Sequence, residues 1–195
     1  MRQGLFTVLS NRPLARDTYE MRLSGDAGAM AAAGQFANVK VGNAYLRRPL
    51  SPADWAEDWL LLVYKAVGPG TAWLAQRGKG EALDLLTGLG RGFDPHAAGE
   101  RPLLVGGGAG LPPLYRLAKE LTALGKKPRL VMGFATREDV FYREEFAELL
   151  PVTVCTEDGG EGLHGRRGLP VELRHLADGH GDVVLPGRAL GLLAR

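Results

Sequence analysis

The stretch 103-LLVGGGAGLPPLYRLAKEL-121 runs from a short apolar segment through a cluster of glycines into a run with helical spacing. Leu103, Leu104 and Val105 read as a buried strand, and the apolar positions from Pro113 to Leu124 read as a covering helix. Glycines between a strand and a helix let a backbone approach a phosphate closely. The helix start adds unpaired N–H groups and the positive end of a dipole. The full dinucleotide pattern G-x-G-x-x-G is not met, because 108-GAGLPP-113 ends in proline. A tight turn that serves packing alone remains open from these residues by themselves.

Outward from this stretch the order continues as strand 129–134, helix 141–150, strand 152–155, helix 169–176, strand 182–185 and a last short helix. Strands alternating with helices imply a parallel sheet, here a Rossmann-like α/β domain over residues 99–195. Residues 1–98 have another texture. The segments 5-LFTVLSNRPL-14, 18-TYEMRLSG-25, 34-GQFANVKV-41, 59-WLLLVYKAV-67 and 81-EALDLLTGLG-90 are short, rich in strand formers and separated by turn residues. That pattern implies an antiparallel barrel or sandwich. Only 71-TAWLAQ-76 and the alanine-rich 27–33 suggest helical pieces. The boundary falls near Gly99, and no internal repeat is seen.

The bulk properties exclude several classes. With 195 residues and 45% hydrophobic content the chain can bury a substantial core. Lys and Arg total 24 against 22 Asp and Glu, a formal net charge of +2, which is no footprint of nucleic-acid binding. The apolar run 59-WLLLVY-64 falls far short of the roughly 20 residues that span a bilayer. The N-terminus lacks a secretory signal, so a cytoplasmic protein is expected. Cys155 is the single cysteine, and His96, His164, His175 and His180 form no ligand pair at helical spacing, so no metal site is expected.

Three further stretches carry candidate chemistry. In 47-RRPLS-51, guanidiniums offer paired donors for a pyrophosphate and a serine follows; adjacent arginines are also common on plain solvated surface. In 67-VGPGTAWL-74 a glycine turn and a threonine at the N-cap open a helix, another possible phosphate seat. A glycine loop, 87-TGLGRGF-93, precedes the boundary. Glu157 and Asp158 follow a strand end, where carboxylates bond ribose hydroxyls and repel a 2′-phosphate; Arg137 argues the other way. Asp139, Tyr142 and Glu145 share helical spacing and read as a solvated helix face, with nucleotide contact open. Trp55, Trp59 and Trp73 read as barrel core, and Cys155 as a small buried hydrophobe.

The ordered series GQF, RRPLS, VGPGTAWL, GLGRGF, VGGGAGLPPLY, GFATREDVFYREEF and TEDGGEGLHGRRG resembles the electron-transfer subunit of the class 1B dihydroorotate dehydrogenases, within the ferredoxin reductase-like flavoproteins. The resemblance runs from about Thr7 to about Val184. It implies an N-terminal β-barrel that holds FAD and a C-terminal domain that receives NADH. Within Arg48-Pro49-Leu50-Ser51 it places the arginine on the FAD pyrophosphate and Ser51 by the flavin N5, which makes Ser51 the catalytic candidate. Gly70 and Thr71 match a second FAD phosphate turn, and Gly107, Gly108, Gly110 and Pro113 match the nicotinamide-dinucleotide turn.

The resemblance also implies a catalytic dihydroorotate dehydrogenase subunit as partner, in a hetero-oligomer acting in pyrimidine biosynthesis. Family members carry a Cys-Gly-Pro turn and four cysteines for a [2Fe-2S] cluster after the last strand. Here 185-LPGRAL-190 stands at that turn and the cysteines are absent, so the second domain is expected to lack the cluster segment. A free-standing NAD(P)H:flavin or ferredoxin-type reductase and a non-catalytic assembly subunit are the alternatives.

Overall fold

The computed structural model describes residues 1–164 and the backbone of Val183–Val184. The expected helices at 169–176 and at the C-terminus, and the 185-LPGRAL-190 turn, lie outside the described residues. The chain divides into two compact units, Met1–Phe93 and Asp94–Arg195.

The first unit is an antiparallel sheet of seven strands: β1 (Arg2–Ala15), β2 (Thr18–Ser24), β3 (Phe36–Val39), β4 (Arg48–Leu50), β5 (Pro52–Ala56), β6 (Trp59–Lys65) and β7 (Ala82–Leu89), with helix α1 (Pro69–Ala75) between the last two. The order across the sheet is β4-β3-β7-β1-β2-β6-β5. A flat sheet of this width would set its edges about 29 Å apart at the usual strand spacing. Yet the two edge strands are joined through Ser51 alone, a reach of about 7 Å. The sheet must therefore curl into a nearly closed barrel, and Ser51 lies at its seam. Inward residues fill the barrel: Phe6 and Val8 of β1, Met21 and Leu23 of β2, Leu60 and Leu62 of β6, and Leu83 and Leu85 of β7 are all fully buried or nearly so. Their two-residue spacing is what makes each segment a strand with one wet face.

Residues 27–33 form turns, against the expected helix. Their N–H groups are claimed elsewhere: Ala27 donates to Glu57 O at 2.8 Å, and Ala31 donates to Gln35 Oε1 at 2.8 Å. Ala27 and Ala33 are fully buried, so their small size serves packing and not helix propensity. The glycine loop before the boundary packs on these turns, where a Cβ at Gly92 would meet Ala32 Cβ at 2.6 Å. Strands β4 and β5 are not legible in the sequence, because each is short and contains a proline and neither shows a period.

The second unit is a parallel sheet in the order β11-β10-β9-β8-β12. It is built from β8 (Leu103–Gly107), β9 (Arg129–Phe134), β10 (Val152–Thr156), β11 (Leu163–His164) and β12 (Val183–Val184). Helix α2 (Pro112–Ala123) buries Leu114, Leu117, Ala118 and Leu121, the stripe a core-facing helix requires. Helix α3 covers only Arg143–Ala147, shorter than the expected 141–150. Tyr142 stands in the left-handed region at φ 61°, which stops the helix from extending backwards. Phe141 and Tyr142 are buried in an aromatic cluster, with Tyr115 5.4 Å from Tyr142 and 5.2 Å from Phe146 between ring centres. Asp139 is likewise buried in a 3-10 turn, so Asp139, Tyr142 and Glu145 do not form the expected solvated helix face. Among the described residues no helix is long and apolar enough to cross a membrane.

Candidate functional site

Arg47 and Arg48 are neighbours in sequence and do different work. Arg47 turns onto β7: Nη2 meets Asp84 Oδ2 at 2.8 Å, and Nη1 donates to Asp84 O at 3.0 Å and Asn38 O at 3.3 Å. This fork holds the Asp84 carboxyl below the usual carboxylate range, chiefly through the Arg47 hydrogen bonds. Arg48, in register with Val39 across the β3–β4 pair, turns to the cleft beside α1. One of its nitrogens donates to Leu46 O at 2.7 Å, and the rest of the guanidinium lies over Gly70. A Cβ at position 70 would stand 2.5 Å from Arg48 Nε, so only glycine admits this approach. Val41, Gly42, Ala44, Arg48, Gly70 and Trp73 line a cleft of about 330 Å³.

Helix α1 begins three residues earlier than a threonine N-cap implies. Gly68 is the N-cap and Pro69 the first helical residue, which puts Thr71 inside the first turn rather than at the cap. The Thr71 hydroxyl accepts Gly68 N–H at 3.3 Å and donates to Gly68 O at 3.2 Å, closing the turn on itself. The first intrahelical bond runs from Ala72 N to Gly68 O at 2.8 Å, so the N–H groups of Gly70 and Thr71 precede the helical ladder. The far end of α1 is fastened to the barrel by Asn11, whose amide donates to Leu74 O, Ala75 O and Arg77 O. Tyr64 donates its hydroxyl to Asn11 Oδ1 at 2.9 Å, and burial pushes that phenol up to about 12. Pro49 is exposed, and Leu50 and Ser51 are half-buried at the seam. The Ser51 hydroxyl makes no hydrogen bond to another described residue.

In the second unit the glycine cluster ends β8 and makes a 3-10 turn at Gly108–Gly110. A Cβ at Gly107 would stand 2.8 Å from Gly133 O on β9, so the two strands close up tightly here. Gly108, at φ 49°, faces open space with nothing within 4 Å of a would-be Cβ. One expectation is corrected. Pro112 and Pro113 are the first two residues of α2 and are both buried, and neither has an N–H. Leu111 N is spent on Gly108 O and Leu114 N on Leu111 O. The helix start therefore offers no unpaired N–H at Pro112, Pro113 or Leu114, against the expectation for a helix N-terminus.

Glu157 and Asp158 are exposed just past the end of β10. Asp158 accepts the Gly160 N–H at 2.8 Å, and this bond is the main reason its carboxyl lies below the usual range. Glu157 is tied through its backbone, donating to Phe134 O at 3.0 Å. Sequence reasoning missed Glu161, half-buried in the same connection, which pairs with Arg143 at 2.6 Å and with Arg137 at 3.6 Å. Trp55 and Cys155 are buried; Trp73 instead borders the barrel cleft, with the Arg77 guanidinium 4.0 Å from its ring centre. Among the described residues no group of three or more His, Cys, Asp or Glu is placed to hold a metal ion.

No family model matches the chain. A dihydroorotate dehydrogenase B (NAD(+)), electron transfer subunit from Bacillus caldolyticus is 47% identical over 178 residues, covering 87% of this chain and 69% of that protein. The chain belongs to this family of dihydroorotate dehydrogenase B electron transfer subunits. The family's member from Bacillus pumilus is 42% identical over 85% of this chain and 67% of its own length. The one from Fusobacterium nucleatum is 38% identical, over 82% and 64%. Solved structures share the fold at lower identity. A ferredoxin NADP+ reductase from Neisseria gonorrhoeae with bound FAD and NADP aligns over 92% of this chain and 78% of its own, with a TM-score of 0.76 and 18% identity. An NADH-dependent reduced ferredoxin-NADP oxidoreductase aligns over 90% and 63%, with a TM-score of 0.75 and 24% identity. These likenesses show the fold, a barrel unit and a parallel α/β unit.

Proposed function

We propose that this chain is an electron-transfer subunit that binds FAD on the barrel, takes reducing equivalents from NADH on the parallel sheet, and serves a catalytic dihydroorotate dehydrogenase subunit in pyrimidine biosynthesis, in the cytoplasm. The observation that carries the reading is the match to named electron transfer subunits along most of the chain.

The residues present fit the group. Arg48 offers guanidinium donors to the FAD pyrophosphate, and the glycine at position 70 keeps the backbone low enough for the phosphate to share that corner. The N–H groups of Gly70 and Thr71 add neutral donors, while the Thr71 hydroxyl holds the turn in shape. Pro49 fixes the strand direction between Arg48 and Leu50, and Leu50 offers an aliphatic surface to a ring. The Ser51 hydroxyl, which makes no hydrogen bond to another described residue, is suited to donate to the flavin N5.

In the second unit the Gly107, Gly108 and Gly110 backbone admits the dinucleotide phosphates, Pro113 packs the helix behind that turn, and Glu157 and Asp158 are placed to accept ribose hydroxyls. When bound, FAD supplies the redox chemistry, accepting a hydride from NADH and releasing the electrons to an acceptor. The protein contributes position and electrostatics. The 195 residues contain one cysteine, Cys155, buried in β10, and the chain spans about two thirds of the length of the curated relatives it matches.

An anaerobic absorbance spectrum of the purified chain, with FAD and then NADH added, tests the reading. The expected result is a bound-flavin spectrum that bleaches on NADH. Flavin that binds and stays oxidised would favour a non-catalytic assembly role. Rapid turnover of artificial acceptors, with no transfer to a catalytic partner, would favour a free-standing reductase.

A further inference from the structure

The connection from β10 to β11 holds a carboxylate between two cations. Glu161 is fixed through its backbone by Thr156, whose fully buried hydroxyl accepts Glu161 N–H at 3.0 Å and donates to Glu161 O at 3.0 Å. Its carboxylate is only 17% exposed, and one oxygen meets Arg143 Nη1 at 2.6 Å while the other lies 3.6 Å from Arg137 Nε. The two arginines are mostly in solvent, at 55% and 68% exposure. Arg137 opens the 3-10 turn just past the end of β9, and Arg143 is the first residue of α3.

The position matters more than the pairing, because exposed ion pairs add little stability. In open α/β sheets a dinucleotide lies across the carboxyl ends of the strands. Past the glycine turn, the ribose is read by an acidic residue at the 2′-hydroxyl or by an arginine at the 2′-phosphate. Here Arg137 stands just past the end of β9 and Arg143 at the start of α3, each paired with the Glu161 carboxylate. We propose that Glu161 sets the nicotinamide preference: by pairing with Arg137 and Arg143 it denies them to the 2′-phosphate of NADPH and leaves the site to NADH. A 2′-phosphate would have to break both pairs and then lie beside the displaced carboxylate. Without Glu161 the same two guanidiniums make a fork suited to a phosphate dianion.

The inference rests on reading this unit as a dinucleotide site, and the test separates the two. Calorimetric titration of the full chain with ADP-ribose and with 2′-phospho-ADP-ribose gives the ratio of their dissociation constants, with no turnover required. The parent should favour ADP-ribose by at least about tenfold, the size expected for one like charge at short range in a partly wet site. Glu161→Gln should lower that preference by at least about tenfold. Adding Arg137→Gln and Arg143→Gln to it should remove the gain. Arg143→Gln alone, which leaves Glu161 less neutralised, should raise the parent's preference. An unchanged ratio in Glu161→Gln, or a gain that survives loss of both arginines, overturns the proposal. If Glu161→Gln does not fold, an unraised ratio in Arg143→Gln overturns it instead. Binding of neither ligand to the parent overturns the dinucleotide reading itself.

Discussion

In the barrel unit the cation that faces the cleft comes from β4 and its seat, Gly70, from α1, while α1 is held in turn by Asn11 of β1 and Tyr64 of β6. In the parallel unit Gly106, Gly107, Gly108 and Gly110 lie within five consecutive residues, and the turn packs on the start of its own helix at Leu111 and Leu114 and on the neighbouring strand β9 at Gly133. The first corner works through a side-chain charge and the second through bare backbone. The difference teaches where each is vulnerable. A corner made by side chains fails when one charge is removed or displaced, whereas a corner made by backbone fails when a Cβ is added.

The largest expected effect strikes the side-chain corner. Arg48→Ala should weaken FAD binding by about 100-fold, the loss of two charge-assisted hydrogen bonds. ADP-ribose binding should stay unchanged. Flavin fluorescence titration measures the first, and near-parental FAD affinity would break the comparison.

Next in size is the backbone corner. Gly107→Ala should cost the parallel unit about 2 kcal/mol, because the new Cβ would stand 2.8 Å from a strand carbonyl. Urea unfolding followed by a probe in that unit, with FAD affinity as the control, reads the effect.

Arg47→Ala sharpens the contrast between neighbours. It should cost about 1 kcal/mol of stability while changing FAD affinity by less than about threefold. The acid profile should change as well. Asp84 has a lowered carboxyl value in the folded chain, so its contribution is present above the ordinary carboxylate range and is lost as pH falls through the depressed value. In Arg47→Ala that part of the acid loss should vanish, visible as a flatter melting temperature below about pH 4.

The smallest effect on folding belongs to Ser51→Ala. Its hydroxyl has no hydrogen-bond partner among the described residues, so stability should move by less than about 0.5 kcal/mol. The rate of flavin reduction by NADH in stopped flow should nevertheless fall. An unchanged rate would remove Ser51 from the flavin contact.

The two regions also differ in how much of them was legible beforehand. The parallel unit announced itself, because strand, glycines and helix are adjacent in the chain and each has its own period. What the structure added were the left-handed Tyr142 that shortens α3, and the start of α2 at Pro112, which puts two prolines without N–H groups in its first turn. The barrel strands were readable from their alternation, but β4 and β5 were not, and nothing local divides Arg47 from Arg48. That division depends on Asp84, far along the chain on β7. Glu161 was invisible for the same reason, since its partners lie on other elements.

Local physics, carried by residue type and spacing, determined by itself that this chain has strands first and alternating strands and helices after, with a glycine-rich turn between the first of those later strands and its helix. Tertiary structure decided which arginine turns to the cleft and which is spent on a strand, where Ser51 falls at the barrel seam, and that a carboxylate stands between Arg137 and Arg143. Periodicity and turn chemistry act over a few residues and can be read in one dimension. Ion pairs and strand closure act over a few ångströms between distant residues, and only the folded chain brings those together.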